Sequence, residues 1–466
     1  MSTVTNDRLV AEVQNSGLYY GFAVVVAATV GRIFTAPGQS ACIGIAITAI
    51  SESLTESEER ITWEYLRGTL CSGIALWIIG PFIDKFGPRK CVVAIALGLA
   101  YGCYYLAQVQ SMEDLLLALF VLRFFGQCSL MNLCIVQINY WWVKRRNVML
   151  GFSGACVSLG MLVLVPGLMD YSIASVGWRQ TYTIMTIMCA AFMAPWGLLW
   201  YRDCPEEYGV QPDGERDSSG LQKPESWTRC EALCTCSFWV FAFAQLSMAL
   251  TYEAYWFHFN SIFDDTLLSD KMLFSMKTFI VGSMVVGQIA SGFILDRVQA
   301  RWVMVGALTM SAASFLLARK MDSFTVLSYK GRADVYLFIV ASLHATLLSV
   351  SMSLSLTVFS VVYASYFGRK HLGAIQTAAN SFAVFGCAVG PYMWGVRRDL
   401  DGDYRQAFMT GALLQVLCAF AVCCGGAPPL RKAQEKGYTA VGVDLDSSAD
   451  DEESENDEGS LKTNEQ

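Results

Sequence analysis

Four ionisable side chains stand inside long apolar runs, where a charge is expensive: Arg32, Arg123, Glu253 and His258. Such a charge costs several kcal/mol unless it is paired or wetted, so each is a candidate for handling a solute or an ion. Guanidinium groups hold anions through a planar fork of donors, which makes Arg32 and Arg123 candidates for anion binding or for coupling to protons. The competing reading is structural. Arg32 precedes the break Ala36-Pro37-Gly38-Gln39, and an arginine there can cap carbonyls freed by the missing proline N–H. Glu253 could accept a proton or pair with Arg32 or Arg123. His258 lies roughly 140° around a helix from it, so the two need not share a face. Its imidazole suits proton exchange, although a satisfied polar group near a helix end is an equal alternative. Gln39, Gln127 and Asn132 offer neutral hydrogen bonds of the kind that fix a small molecule. The nearby Tyr252, Tyr255, Trp256 and Phe259 fit packing better than a cavity wall.

A second set of residues repeats. Gly80-Pro-Phe-Ile-Asp84-Lys85-Phe-Gly87-Pro88-Arg89-Lys90 recurs as Gly292-Phe-Ile-Leu-Asp296-Arg297-Val-Gln-Ala-Arg301, 212 residues later. Each copy follows a long apolar run. Gln299 and Ala300 replace the second glycine and its neighbour. An offset near half of 466 residues predicts two related halves.

The elements that must carry these residues are membrane helices. Only 16% of the chain is charged, against about 25% in soluble domains, and apolar blocks such as 91–108 and 336–362 have the ~20 residues that cross a bilayer. Hydropathy and turns predict twelve spans, at 17–50, 61–82, 91–109, 113–142, 147–169, 181–200, 236–262, 272–295, 302–318, 333–364, 372–396 and 406–425. The fold class is therefore an all-α membrane protein of two six-helix halves. The expected organisation is an N-terminal segment 1–16, a first half 17–200, a polar linker 201–235, a second half 236–425 and an acidic, disordered tail 426–466. No removable leader is recognisable. Lys85, Arg89, Lys90, Lys144, Arg145 and Arg146 place their loops, and with an even number of spans both termini, in the cytoplasm. Basic loops in the second half give no clear orientation.

Most of the 16 cysteines lie in apolar blocks, where the thiol acts as a small hydrophobe. Cys230, Cys234 and Cys236 lack metal-site spacing and read as filler too. The net charge of −7 is concentrated in the tail and implies no nucleic-acid partner. No phosphate loop, nucleotide fingerprint or nucleophile constellation is present, so neither an enzyme nor a cofactor is expected. The expected partners are the bilayer, a small-molecule solute and a candidate co-transported proton; oligomeric state is left open.

The Gly80–Lys90 segment resembles the loop signature between the second and third spans of the major facilitator superfamily. Further residues are similar to its monocarboxylate-porter and oxalate/formate-antiporter-like branch. They are Gly17-Leu-Tyr-Tyr20-Gly21, Trp141-Trp142-Val-Lys144-Arg145-Arg146, Gly177-Trp178-Arg179, Pro205-Glu206-Glu207-Tyr-Gly209-Val-Gln-Pro212-Asp213-Gly214 and Tyr366-Phe367-Gly368-Arg369-Lys370. The charges that branch places inside spans eight and eleven are missing from 278–291 and 377–390. The resemblance implies a twelve-span carrier in which spans one, four, seven and ten line a central cavity. It implies secondary active transport of a small organic solute, such as a monocarboxylate, by alternating access. A carrier of a neutral or cationic solute, with Glu253 as counter-charge, is the alternative, as is a non-transporting receptor that signals through the tail. Gly80, Asp84, Gly87, Arg89, Lys90, Asp296, Arg297 and Arg301 would form a conformational latch. In it an aspartate at one helix end meets a helix N-terminus and an arginine of the adjacent loop. The alternative is an ordinary charge pair flanking the membrane.

Overall fold

The computed structural model describes residues 7–15, 17–214, 226–264, 270–325 and 333–429; the acidic tail lies outside them. Ten helices among these are long and apolar enough to cross a membrane: Glu58–Phe86, Pro88–Ala107, Met112–Trp141, Arg146–Val176, Trp178–Trp200, Met272–Leu295, Ala300–Lys320, Phe338–Phe367, Leu372–Asp401 and Arg405–Gly425. These are spans two to six and eight to twelve. Among the described residues the fold is all-helical, and the remaining two spans, one and seven, carry Arg32 and Glu253.

Span one is two short helices, Gly21–Ile33 and Ser40–Leu54, separated by a single tight turn at Ala36–Gly38. Pro37 supplies no backbone donor, and Gln39 swings out to an extended conformation with ψ 147°, so the helix must restart at Ser40. Span seven is Cys236–Phe257, capped at its start by the Thr235 hydroxyl, which accepts from the Phe238 N–H at 3.3 Å. Glu253 and a run of aromatics stand in its last two turns. Span four widens into a π-helical stretch at Arg123–Leu130. Such bulges accompany functional sites because they re-aim side chains out of helical register. Spans five and six each contain a shorter one.

Several helices run past the limits hydropathy predicts. Span five continues to Val176, where Gly177 at φ +83° stops it, and span eleven continues to Asp401. The reason is that polar ends of membrane helices stay helical while leaving the apolar layer.

The halves meet along two seams of small residues, span two against span eleven and span five against span eight. A Cβ on Gly373 would stand 2.8 Å from the Gly80 carbonyl, and one on Gly292 would stand 2.8 Å from the Asn147 carbonyl. Only glycine permits backbones this close. The linker is more than a tether. Asp213, at φ +59°, turns its carboxylate onto the backbone N–H groups of Val143, Lys144 and Arg145 at 3.0, 2.9 and 3.1 Å. It thereby caps the start of span five from outside the half to which that span belongs.

Candidate functional site

A cavity of about 450 Å³ opens at the end of the bundle where span two begins and span eleven finishes. Glu58, Glu59, Trp63, Tyr392 and Asp399 stand at its mouth, and Ser40, Tyr65, Glu253 and Cys387 lie deeper. Trp63 and Tyr392 approach across the two halves with ring centroids 5.3 Å apart. At the opposite end, contacts between the halves close the seam around Asp84, and a second cavity of about 590 Å³ lies beside its loop, lined by Lys90, Asp203 and Arg369.

Arg123 lies just behind the cavity wall and is fully buried. Its Nη1 donates to the Gly38 carbonyl at 3.0 Å and to the Ser40 hydroxyl at 3.2 Å, while its guanidinium stacks over the Tyr65 ring at 5.0 Å. The structural alternative thus holds in part, since Arg123 does cap the broken helix. Its Nε and Nη2 have no partner. Glu253 lies in reach of the Ser40 hydroxyl and of the Arg123 charge, without an ion pair between them. Ser40 also accepts from the Tyr65 hydroxyl at 2.8 Å. One serine at the restart of span one therefore joins Arg123, Tyr65 and Glu253, which sequence spacing alone did not reveal.

The other expected residues divide. Gln127 reaches across the halves to the Cys387 sulfur at 4.0 Å, leaving its carbonyl oxygen unpartnered. Asn132 is fully buried and donates to the Cys128 carbonyl at 2.6 Å, away from the cavity. Gln39 donates to the Thr35 hydroxyl at 2.9 Å inside the break. Arg32 turns toward span five, where Nη1 donates to Ser153 at 3.0 Å. It shares no partner with Arg123 or Glu253, so the two arginines do not form one fork. His258 lines the cavity near its mouth. Its Nε2 is 2.8 Å from the Pro391 carbonyl, which only accepts, so Nε2 carries the proton; Nδ1 faces the Tyr404 hydroxyl at 3.1 Å.

At the closed end, Asp84 accepts from the Gly373 and Ala374 N–H groups at 2.7 and 2.8 Å and from the Tyr140 hydroxyl at 3.1 Å. The first two are free donors of the opening turn of span eleven, so a carboxylate of one half caps a helix of the other. The repeat places Asp296 likewise at the start of span five, where among the described residues its carboxylate accepts only from the Asn147 amide at 2.9 Å. Arg369 adds a third strap, donating to the Tyr140 carbonyl at 2.6 Å and pairing with Glu206 of the linker.

The Major Facilitator Superfamily model matches residues 29–391. The chain belongs to the Major Facilitator Superfamily. Members of this superfamily are transporters. The crystal structure of the human organic anion transporter MFSD10 (TETRAN) has the same fold, with a TM-score of 0.61 at 16% identity over 86% of this chain and 99% of that one. No curated protein sequence gives a match to this chain.

Within this superfamily fold the residues expected to form a latch are arranged differently from that expectation. Arg89 does not meet Asp84. Its backbone N–H donates to Asp203 at 3.1 Å, its Nε to the Leu198 carbonyl at 3.2 Å, and its guanidinium faces Asp7 at 3.4 Å. Asp7 also pairs with the buried Arg202 at 2.9 Å. This cluster ties the loop to the N-terminal segment and the start of the linker and does not reach the second half, because Gly87 (φ +81°) turns the loop toward Asp203 rather than across the seam. Burial alone would raise the Asp7 carboxyl, but the bond and charge of Arg202 outweigh it and hold the group below its ordinary value. Asp203 is pushed up by burial despite its Arg89 N–H bond. Lys90 lines the second cavity, beside Asp84 and Asp203, with no hydrogen bond or ion pair to either among the described residues. Arg297 and Arg301 form no ion pair with Asp296 among the described residues; Arg301 stacks on Trp302 at 4.6 Å.

Proposed function

We propose that this chain is a proton-coupled secondary carrier of a small organic anion, working by alternating access, with its substrate site at the floor of the open cavity. The observation that carries the reading is Arg123, a buried guanidinium with two unpartnered nitrogens one serine away from Glu253. A substrate carboxylate entering between Ser40 and Tyr65 would compete with Glu253 for that positive charge. Glu253 would then take up a proton, so anion and proton load together and the occupied site stays near neutral. Each pH unit across the membrane adds about 1.4 kcal/mol to the driving force, a tenfold gain in accumulation. The repeat, the two seams and the latch support rocking of one half on the other. The monocarboxylate-porter-like motifs and the fold shared with an organic anion transporter agree with the substrate class. The basic Asp84 end would face the cytoplasm, which makes the cavity outward-open.

A second reading has its own support. Glu58, Glu59, Glu253 and Asp399 all line the cavity, beside Trp63, Tyr65 and Tyr392. Carboxylates and aromatic faces suit an organic cation, with Glu253 as counter-charge.

Uptake into proteoliposomes separates the two. Monocarboxylates should accumulate when the outside is acidic. Arg123→Ala should abolish uptake, and Glu253→Gln should keep counterflow while losing pH-driven accumulation. Full uptake by the Arg123 variant would remove the anion site, and uptake of organic cations blocked only by Glu253→Gln would establish the second reading.

A further inference from the structure

The cysteines at the start of span seven and the end of span twelve, Cys230, Cys234, Cys236 and Cys424, are all exposed and free. Two of them continue lipid-facing stripes. On span seven the exposed face runs Phe243, Trp239 and then Cys236, separated by four and three residues. On span twelve it runs Leu417, Phe420 and Cys424, with Leu417 66% and Phe420 70% exposed. Residues three, four and seven apart share a helix face. Both thiols therefore stand at the last turn of an apolar stripe, on the same end of the bundle as the Asp84 loop. They are also neighbours, since a Cβ on Gly425 would come 2.7 Å from the Cys236 sulfur. Trp239, whose indole donates to the Leu233 carbonyl at 2.8 Å, is placed as an interfacial anchor beside them. The Cγ of Arg301 would lie 3.3 Å from a Cβ on Gly426, so its cationic side chain is at this edge too. No group of three metal-ligating side chains forms among the described residues, which leaves these thiols without a metal-site geometry.

We propose that Cys236 and Cys424 are sites of S-acylation by a long-chain fatty acyl group. A thiol at the bilayer boundary meets an acyl donor from the aqueous side and can lay the attached chain along the stripe beneath it. In the transfer the cysteine sulfur attacks the carbonyl of a long-chain acyl thioester. A new carbon–sulfur bond forms, the donor's carbon–sulfur bond breaks, and the donor thiol leaves with the proton. The modification needs neither the substrate site nor the latch. It would fasten the ends of spans seven and twelve to one leaflet, on the half that moves against its partner.

Cys71 supplies the control. It is exposed on span two, on the face of Ile74 and Ile78, but in mid-span, beyond the reach of a donor in water. The full chain expressed in mammalian cells should be recovered by hydroxylamine-dependent capture of acylated thiols. The Cys236→Ser/Cys424→Ser double variant should lose most of that capture, and Cys71→Ser none. Wild-type protein that is not captured overturns the proposal, as does a double variant captured undiminished. Capture lost only when Cys230 and Cys234 are replaced would overturn the assignment to the lipid-facing pair. Unchanged uptake by the double variant establishes that it is folded.

Discussion

Replacing Asp84 with asparagine should open the closed end of the bundle. The carboxylate takes two N–H groups at 2.7 and 2.8 Å and the Tyr140 hydroxyl at 3.1 Å. An amide of the same shape keeps one acceptor oxygen and turns its NH2 toward a second donor. Charge-assisted hydrogen bonds contribute about 1.5–3 kcal/mol and neutral ones about 1. One bond is therefore lost and another weakened, and the favourable charge at the span-eleven N-terminus, ~0.3–1 kcal/mol, goes with them. Sealing a carboxylate away from water costs more than sealing an amide and offsets part of this sum, which leaves about 1.4 kcal/mol, roughly one power of ten in the ratio of closed to open states at that end. The loss falls on the closed state alone, since water solvates the carboxylate once the seam parts. Spin labels at Val143 and Val298, both exposed, in a background without the exposed cysteines, would report the separation as a distance distribution. The long-distance population should grow in Asp84→Asn, turnover should slow, and substrate affinity should stay within about twofold. Asp296→Asn is the internal comparison. Its carboxylate has one exposed partner at 2.9 Å, so the shift should stay under about 1 kcal/mol. Equal shifts from the two variants, or none from Asp84→Asn, would refute the assignment of the closing force to this capped helix.

Asp213→Ala removes the acceptor for three N–H groups before span five. A cost of about 1–2 kcal/mol should appear as a lowered melting temperature in detergent, and an unchanged melt would mean that water replaces the cap. Burial raises the Asp203 carboxyl, so its charged form is disfavoured in the fold. Its stabilising contribution is present below the ordinary carboxylate range and lost as pH rises through the raised folded value. Asp203→Asn should then melt higher than wild type at neutral pH, with the gap closing on acidification; a gap independent of pH would contradict that sign.

The membrane spans were legible because hydrocarbon length and apolar composition are properties of contiguous sequence. The break in span one was legible for the same reason, since Pro37 forbids its own hydrogen bond wherever it stands. Contacts between halves were not. Asp84 stands out through its spacing from Gly80, but the donors it takes lie 289 and 290 residues away, in a turn with no unusual side chain. Arg89 misled because adjacency in a loop says nothing about which way a glycine at φ +81° sends the chain. Asp213 was visible only as part of a resemblance; its carboxylate faces backbone groups, and backbone groups carry no sequence signal. Ser40 and Tyr65 escaped notice because hydroxyls are common in membrane helices and only convergence marks these two.

That convergence bears on how binding at the cavity would act on the closed end. Gly38 and Gly126 are in near contact, since a Cβ on Gly126 would stand 3.0 Å from the Gly38 Cα, so the turn in span one is pressed onto the π-helical stretch of span four. Arg123 sits in that stretch and holds the turn by its Gly38 carbonyl. A substrate anion that drew the guanidinium away would release the Gly38 carbonyl, which has no helical backbone donor because Gln39, at ψ 147°, takes the chain out of register just after it. Relief would come by re-forming span one, and span one carries Tyr19, whose hydroxyl donates to the Trp141 carbonyl at 2.7 Å at the closed end. The chain of contacts from Glu253 through Ser40 and Arg123 to the break is thus short and built from discrete alternatives. A binding energy of a few kcal/mol acts on such an element as a switch between arrangements, where a continuous helix would absorb it as strain.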